Sequence, residues 1–145
     1  MKTWKWLKGE LALVDYMIET GEAGRAFGRL GTLLLQYAEL VDPQFDYHRA
    51  SILQAMARAA TALEETNLAE GFYLRALETL KTSPEVSPVE QADFNMSLAE
   101  HFAAQNLVTE AAFFNDAALE TLIERPEAVC RDETVELFLS STPRS

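Results

Sequence analysis

The chain has 145 residues, 48% of them hydrophobic and 24% charged, which is enough apolar surface for one domain with a buried core; six glycines and five prolines are too few for a linker-dominated chain. Its formal charge of -11, from 23 acidic and 12 basic side chains, repels phosphate backbones and anionic headgroups and so argues against nucleic acid or membrane surfaces as partners. The lone Cys130 rules out an intramolecular disulfide and a multi-thiolate zinc site, and fits a reducing compartment.

The opening Met1-Lys2-Thr3-Trp4-Lys5 is basic, but Glu10 and Asp15 interrupt the apolar run and no cleavage site follows, so export by a signal peptide is not expected. No stretch approaches the roughly 18 apolar residues that span a bilayer, and a cytoplasmic location is the expectation. Trp4, Trp6, Leu7, Leu11, Val14 and Ile18 give a first helix, about 3–19, a broad apolar face. Trp4 and Trp6 are candidates for a partner or dimer contact. Gly21-Glu22 marks a tight turn into a helix at 22–41, and Gly21, Gly24, Gly28 and Gly31 at helical spacing are expected to let neighbouring helices pack closely.

Asp42-Pro43 closes this hairpin. Apolar residues at steps of three and four (Ile52, Met56, Ala59, Ala60, Leu63) place a third helix at 44–65, and Leu68, Phe72, Tyr73, Ala76, Leu77 and Leu80 place a fourth at 68–82. Pro84 and Pro88 end it, since proline lacks the amide donor and pushes the preceding residue out of helical geometry. Helices at 88–105 and 108–125 follow, stopped by Pro126. Asp132 to Leu139 reads as a short capping helix and 140–145 as a disordered tail.

Internal repetition organises these elements. Residues 47–84 match 89–126 without gaps at a shift of 42: Ala50/Ala92, Ala57/Ala99, Ala62/Ala104, Ala69/Ala111, the run Ala76 to Leu80 against Ala118 to Leu122, and Pro84/Pro126. A shift of 43 lays a weaker copy at the front, with Val14 under Ala57 and Ala26 under Ala69. The expectation is therefore an all-α single domain over 1–145, with repeats at about 3–43, 44–86 and 87–127, each an antiparallel helical hairpin, and six to seven helices in all.

The stretch Leu98-Ala99-Glu100-His101-Phe102-Ala103-Ala104-Gln105-Asn106-Leu107-Val108-Thr109-Glu110-Ala111, followed by Ala117-Ala118-Leu119, resembles the tetratricopeptide repeat family. Its first helix carries a large, a small and then an aromatic residue (Leu98, Ala99, Phe102), and its second carries small residues seven apart (Ala111, Ala118). The period of 42 exceeds the family's usual ~34 and is nearer that of kinesin-light-chain-like members. The resemblance implies hairpins stacked as a short right-handed superhelix whose first helices line a concave groove for a peptide. Carried over by register, groove residues are Ser51, Gln54, Arg58 and Thr61, then Asp93, Met96, Glu100 and Ala103. Only Arg58 stands for the basic cluster with which some members clamp a C-terminal carboxylate.

No Gly-rich phosphate loop, metal-ligating histidine pair or Gly-x-Ser-x-Gly elbow occurs, so neither catalysis, cofactor nor metal is expected. The implied function is that of an adaptor or chaperone-like scaffold for another protein. Residues 51–145 hold sixteen acidic against six basic groups, an excess that serves solubility first and leaves a basic segment as one candidate target. The alternative is a self-associating regulatory module, either a homodimer or a ligand sensor.

Overall fold

A computed structural model describes residues 3–40, 42–83 and 86–124. Pro84, Pro126, Cys130, the expected capping helix at 132–139 and the tail at 140–145 lie outside the described residues. Among those described, every long element is a helix: α1 (Trp4–Glu19), α2 (Ala23–Ala38), α3 (Asp46–Ala62), α4 (Thr66–Lys81), α5 (Pro88–Ala104) and α6 (Val108–Glu124), with a 3-10 turn at Pro43–Phe45 before α3. The helices fall where the periodicity puts them, to within a few residues at each end. Two compact units result, Met1–Glu85 with α1 to α4 and Val86–Ser145 with α5 and α6.

The hairpin turns carry the repeat in the backbone. Among the described residues, Gly21, Glu64 and Asn106 are those with positive φ, at 86°, 63° and 62°, and they stand 43 and 42 positions apart. In each case the next amide reaches back five residues: Glu22 N donates to Met17 O (2.8 Å), Glu65 N to Ala60 O (2.9 Å) and Leu107 N to Phe102 O (3.0 Å). This bond consumes a carbonyl that the helix end leaves without an internal partner, and it requires one left-handed residue. Gly adopts that conformation freely and Asn tolerates it, whereas Glu64 pays the steric cost of its Cβ.

Other helix ends are fixed by side chains. Thr3 accepts from Trp6 N (3.2 Å) at the start of α1. Ser87 and Glu90 satisfy each other's backbone amides (3.2 and 3.0 Å) at the start of α5, where Pro88 occupies the first turn. Arg49 donates to the carbonyls of Tyr37 (3.1 Å) and Leu40 and pairs with Asp46 (2.6 Å), so one guanidinium ties the end of α2 to the start of α3.

Side-chain volume distinguishes the repeats. In the second and third, small residues fill the helix-facing positions: Ala50, Ala57 and Ala76, then Ala92, Ala99 and Ala118, all buried. The first repeat puts Leu7, Val14 and Leu33 there, also buried, within a core shared by Leu30, Tyr37, Ile52 and Met56. Bulkier side chains hold α1 and α2 further apart than the other two pairs. A cleft of about 440 Å³ opens between them, lined by Trp6, Glu10, Gly28, Arg29, Thr32, Leu33 and Gln36.

The glycines of α2 correct an expectation. A Cβ built on Gly24, Gly28 or Gly31 meets nothing within 4 Å, so these residues do not serve close helix packing. Their stripe lies on the outer side of the helix. Gly21 is the glycine that the turn itself requires.

Two substitutions test the turn. Glu64→Gly should raise the unfolding free energy by about 1 kcal/mol and Gly21→Ala should lower it by a similar amount, both read from urea unfolding midpoints at constant slope.

Candidate protein-binding surface

At 100° per residue, Ser51, Gln54, Arg58 and Thr61 fall within one narrow strip of α3, and Asp93, Met96, Glu100 and Ala103 within the equivalent strip of α5. On α3, Ser51 is buried at 7% exposure and offers nothing to a partner. Gln54 and Arg58 are half-buried, and Thr61 is exposed with its hydroxyl donating to Ala57 O (3.0 Å). On α5, Asp93, Glu100 and Ala103 are exposed, while Met96 packs in part against the cluster of Ala92, Ala118 and Leu122. The surface on α5 is therefore acidic.

Arg58 is engaged. Its guanidinium meets the Asp15 carboxylate of α1 at 2.9 Å, joining the first helices of the first two repeats. Asp15, Arg58 and Glu100 occupy one repeat position, 43 and 42 residues apart, so the series alternates acid, base, acid. Trp4 and Tyr47, also one repeat apart, meet with ring centroids at 5.0 Å. Equivalent side chains of α1 and α3 thus touch, as stacking of repeats in register requires.

Trp4 faces inward. Besides Tyr47 it meets the His48 ring edge-on at 5.3 Å and packs, half-buried, against the main core of its unit. Trp6, 200° further round α1, keeps 37% of its surface exposed beside the cleft. His101 is buried at 8% exposure, its Nε2 2.9 Å from the Gln105 amide nitrogen, so it does not face the surface of α5.

No protein-family model and no curated protein matches the sequence. Among solved structures, the crystal structure of the TPR domain of Arabidopsis FLU superposes with a TM-score of 0.64 at 15% identity, covering 81% of this chain and 95% of that one. The fold is tetratricopeptide-like.

In the tetratricopeptide-like arrangement, α1, α3 and α5 are the first helices of their repeats and α2, α4 and α6 the second. The residues that register alone did not single out are Asp15, which covers Arg58, and His48. Burial pushes the His48 pKa below its ordinary 6.5; the Gln44 backbone pulls it partly back and the Arg49 charge lowers it again. Its Nδ1 is buried, and Trp4, Tyr37 and Phe45 surround the ring at 5.3, 5.5 and 5.4 Å. No helix among the described residues is long and apolar enough to cross a membrane.

A folded-state histidine held neutral binds fewer protons than its unfolded counterpart below about pH 6.5, so stability is full above that value and falls as the pH drops through it. Unfolding midpoints compared at neutral and mildly acidic pH should show this slope, and His48→Phe should reduce it. The Arg58–Asp15 pair, with side chains 38% and 48% exposed, is screened by solvent. Arg58→Ala should accordingly cost no more than about 0.5 kcal/mol by thermal or urea unfolding.

Proposed function

We propose that this protein is a protein-interaction adaptor or chaperone-like scaffold of the cytoplasm, holding a segment of a partner protein on the first helices of its repeats. The observation that carries it is the strip on α5, where Asp93 and Glu100 are exposed on a well-packed helix of a tetratricopeptide-like fold. Surface carboxylates on rigid elements favour a basic segment, both by steering its approach and by pairing with it at contact. The excess of acidic groups after residue 50 supports the same preference.

The α3 residues contribute differently. Arg58 already faces Asp15, so it supplies little unbalanced positive charge for a carboxylate. Clamping of a partner's C-terminus is not the mode. A peptide with an acidic C-terminus should show no measurable binding by titration calorimetry, and tight, Arg58-dependent 1:1 binding would contradict this. Function so conceived needs no cofactor, metal or covalent chemistry, only a rigid surface that gains little freedom when unbound.

The direct test is affinity capture from the native organism's lysate with the wild-type protein beside a folded Arg58→Glu/Glu100→Arg double variant. Retention of one protein by the wild type and its loss from the variant is expected, with the captured partner's basic segment then binding the wild type as a synthetic peptide. Equal retention by both would remove the first helices from the account.

A further inference from the structure

We infer that the outer face of α6 around Phe113 is a docking site for an arginine-bearing helical segment of a partner protein. Phe113 stands seven residues after the turn residue Asn106, as Gly71 does after Glu64 and Gly28 after Gly21. A Cβ built on Gly28 or Gly71 meets nothing within 4 Å, so in the first two repeats no helix packing uses a side chain at this position. The third repeat puts a phenylalanine there, 66% exposed. Ala111, Ala118 and Leu122 are the buried residues of α6, and Phe113 lies about 140–180° round the helix from them by helical geometry. It is therefore turned away from α5.

The ring is held in place although the fold does not bury it. Phe113 meets Phe114 at right angles with centroids 5.1 Å apart, and Phe114 stacks on Phe102 of α5 at 5.5 Å with ring planes 8° apart. An exposed aromatic braced in this way gives up little rotamer freedom on contact, and rigid aromatics are the anchors on which interfaces concentrate their energy. Ile123, 65% exposed and about 80° round the helix from Phe113, extends the apolar contact toward the end of α6.

The charges on the face itself select the occupant. Glu110, Asp116 and Glu120 fall within about 60° of Phe113 round the helix, and all three are exposed. Residues 86–124 hold seven acidic side chains and no lysine or arginine, so this helix pair supplies no cation of its own to them. An aromatic ring rimmed by carboxylates is complementary to a guanidinium, which lies flat on the ring and donates its N–H groups to the carboxylates. Lysine, a compact and strongly hydrated charge, stacks less well. The three carboxylates span about 15 Å of α6, so the matching cations have to recur every three to four residues, as on one face of a helix. A second copy of this chain, at -11, and its own segment 132–139, with three acidic groups and no base, are both repelled. The face is separate from the strip on α5, and the inference does not rest on the use of that strip.

The test is fluorescence anisotropy of a labelled alanine-based helical peptide with three arginines on one face, titrated with the full-length protein, beside the same peptide carrying lysine or glutamine instead. The wild type should bind the arginine peptide best, the lysine peptide more weakly and the glutamine peptide not at all, with affinity falling as salt is added. Phe113→Ala, which changes no charge, should weaken binding about 10-fold or more with an unchanged helical spectrum, and Phe113→Trp should retain it. Asp116→Gln/Glu120→Gln should weaken binding and flatten its salt dependence, whereas Asp93→Gln/Glu100→Gln on the α5 strip should leave it intact. Equal binding of the arginine and glutamine peptides overturns the proposal, as does binding that Phe113→Ala leaves unchanged. Loss in the α5 variant alone would place the peptide on that strip, overturning this site while leaving the proposed function standing. Binding that emerges only after Arg131→Gln/Arg144→Gln would show that the chain's own tail fills the face, and would overturn a partner as its occupant.

Discussion

Each hairpin depends on a single left-handed residue placed one period from the next. At Gly21, Glu64 and Asn106 the chain leaves a helix, makes one backbone bond five residues back, and enters the following helix at once. That geometry fixes the angle at which two helices return alongside each other, so the apolar faces of each pair meet without a long loop. Within the first unit this places equivalent residues of α1 and α3, 43 positions apart, in contact: Trp4 with Tyr47 and Asp15 with Arg58.

Most of the fold was legible in the spacing of small residues. Ala57/Ala99, Ala69/Ala111 and Ala76/Ala118 reveal the period because a helix-facing position that admits only a small side chain repeats its demand in every copy. The turns were legible only by position, since Gly, Glu and Asn share a backbone conformation and no side-chain chemistry. Where the first repeat replaces Ala by Leu7, Val14 and Leu33, the same register yields a wider pair of helices. The glycine stripe of α2 has a spacing that suits close packing, yet it lies away from the buried face of Ala26, Leu30 and Tyr37 and meets no neighbour.

The candidate site was legible in outline and less so in its details. Register treats Ser51 and Asp93 as equivalent positions on α3 and α5, yet one is buried while the other is exposed. Burial of this kind depends on what packs beside a helix, which periodicity does not encode. Trp4 and Trp6 show a complementary lesson: two residues apart on a helix, they point to nearly opposite sides, so one becomes core and the other edge. The aromatic surround of His48 joins residues of α1, α2, the 3-10 turn and α3, and no local motif announces it.

The central functional claim is that a partner protein engages the first helices of the repeats. Hydrogen–deuterium exchange of the protein with and without its captured partner tests this most directly, because it reports on every helix in one experiment. Added protection concentrated in peptides of α3 and α5, with α4 and α6 unchanged, is the predicted result. Protection confined to α4 and α6 would contradict the claim and move the working surface to the second helices.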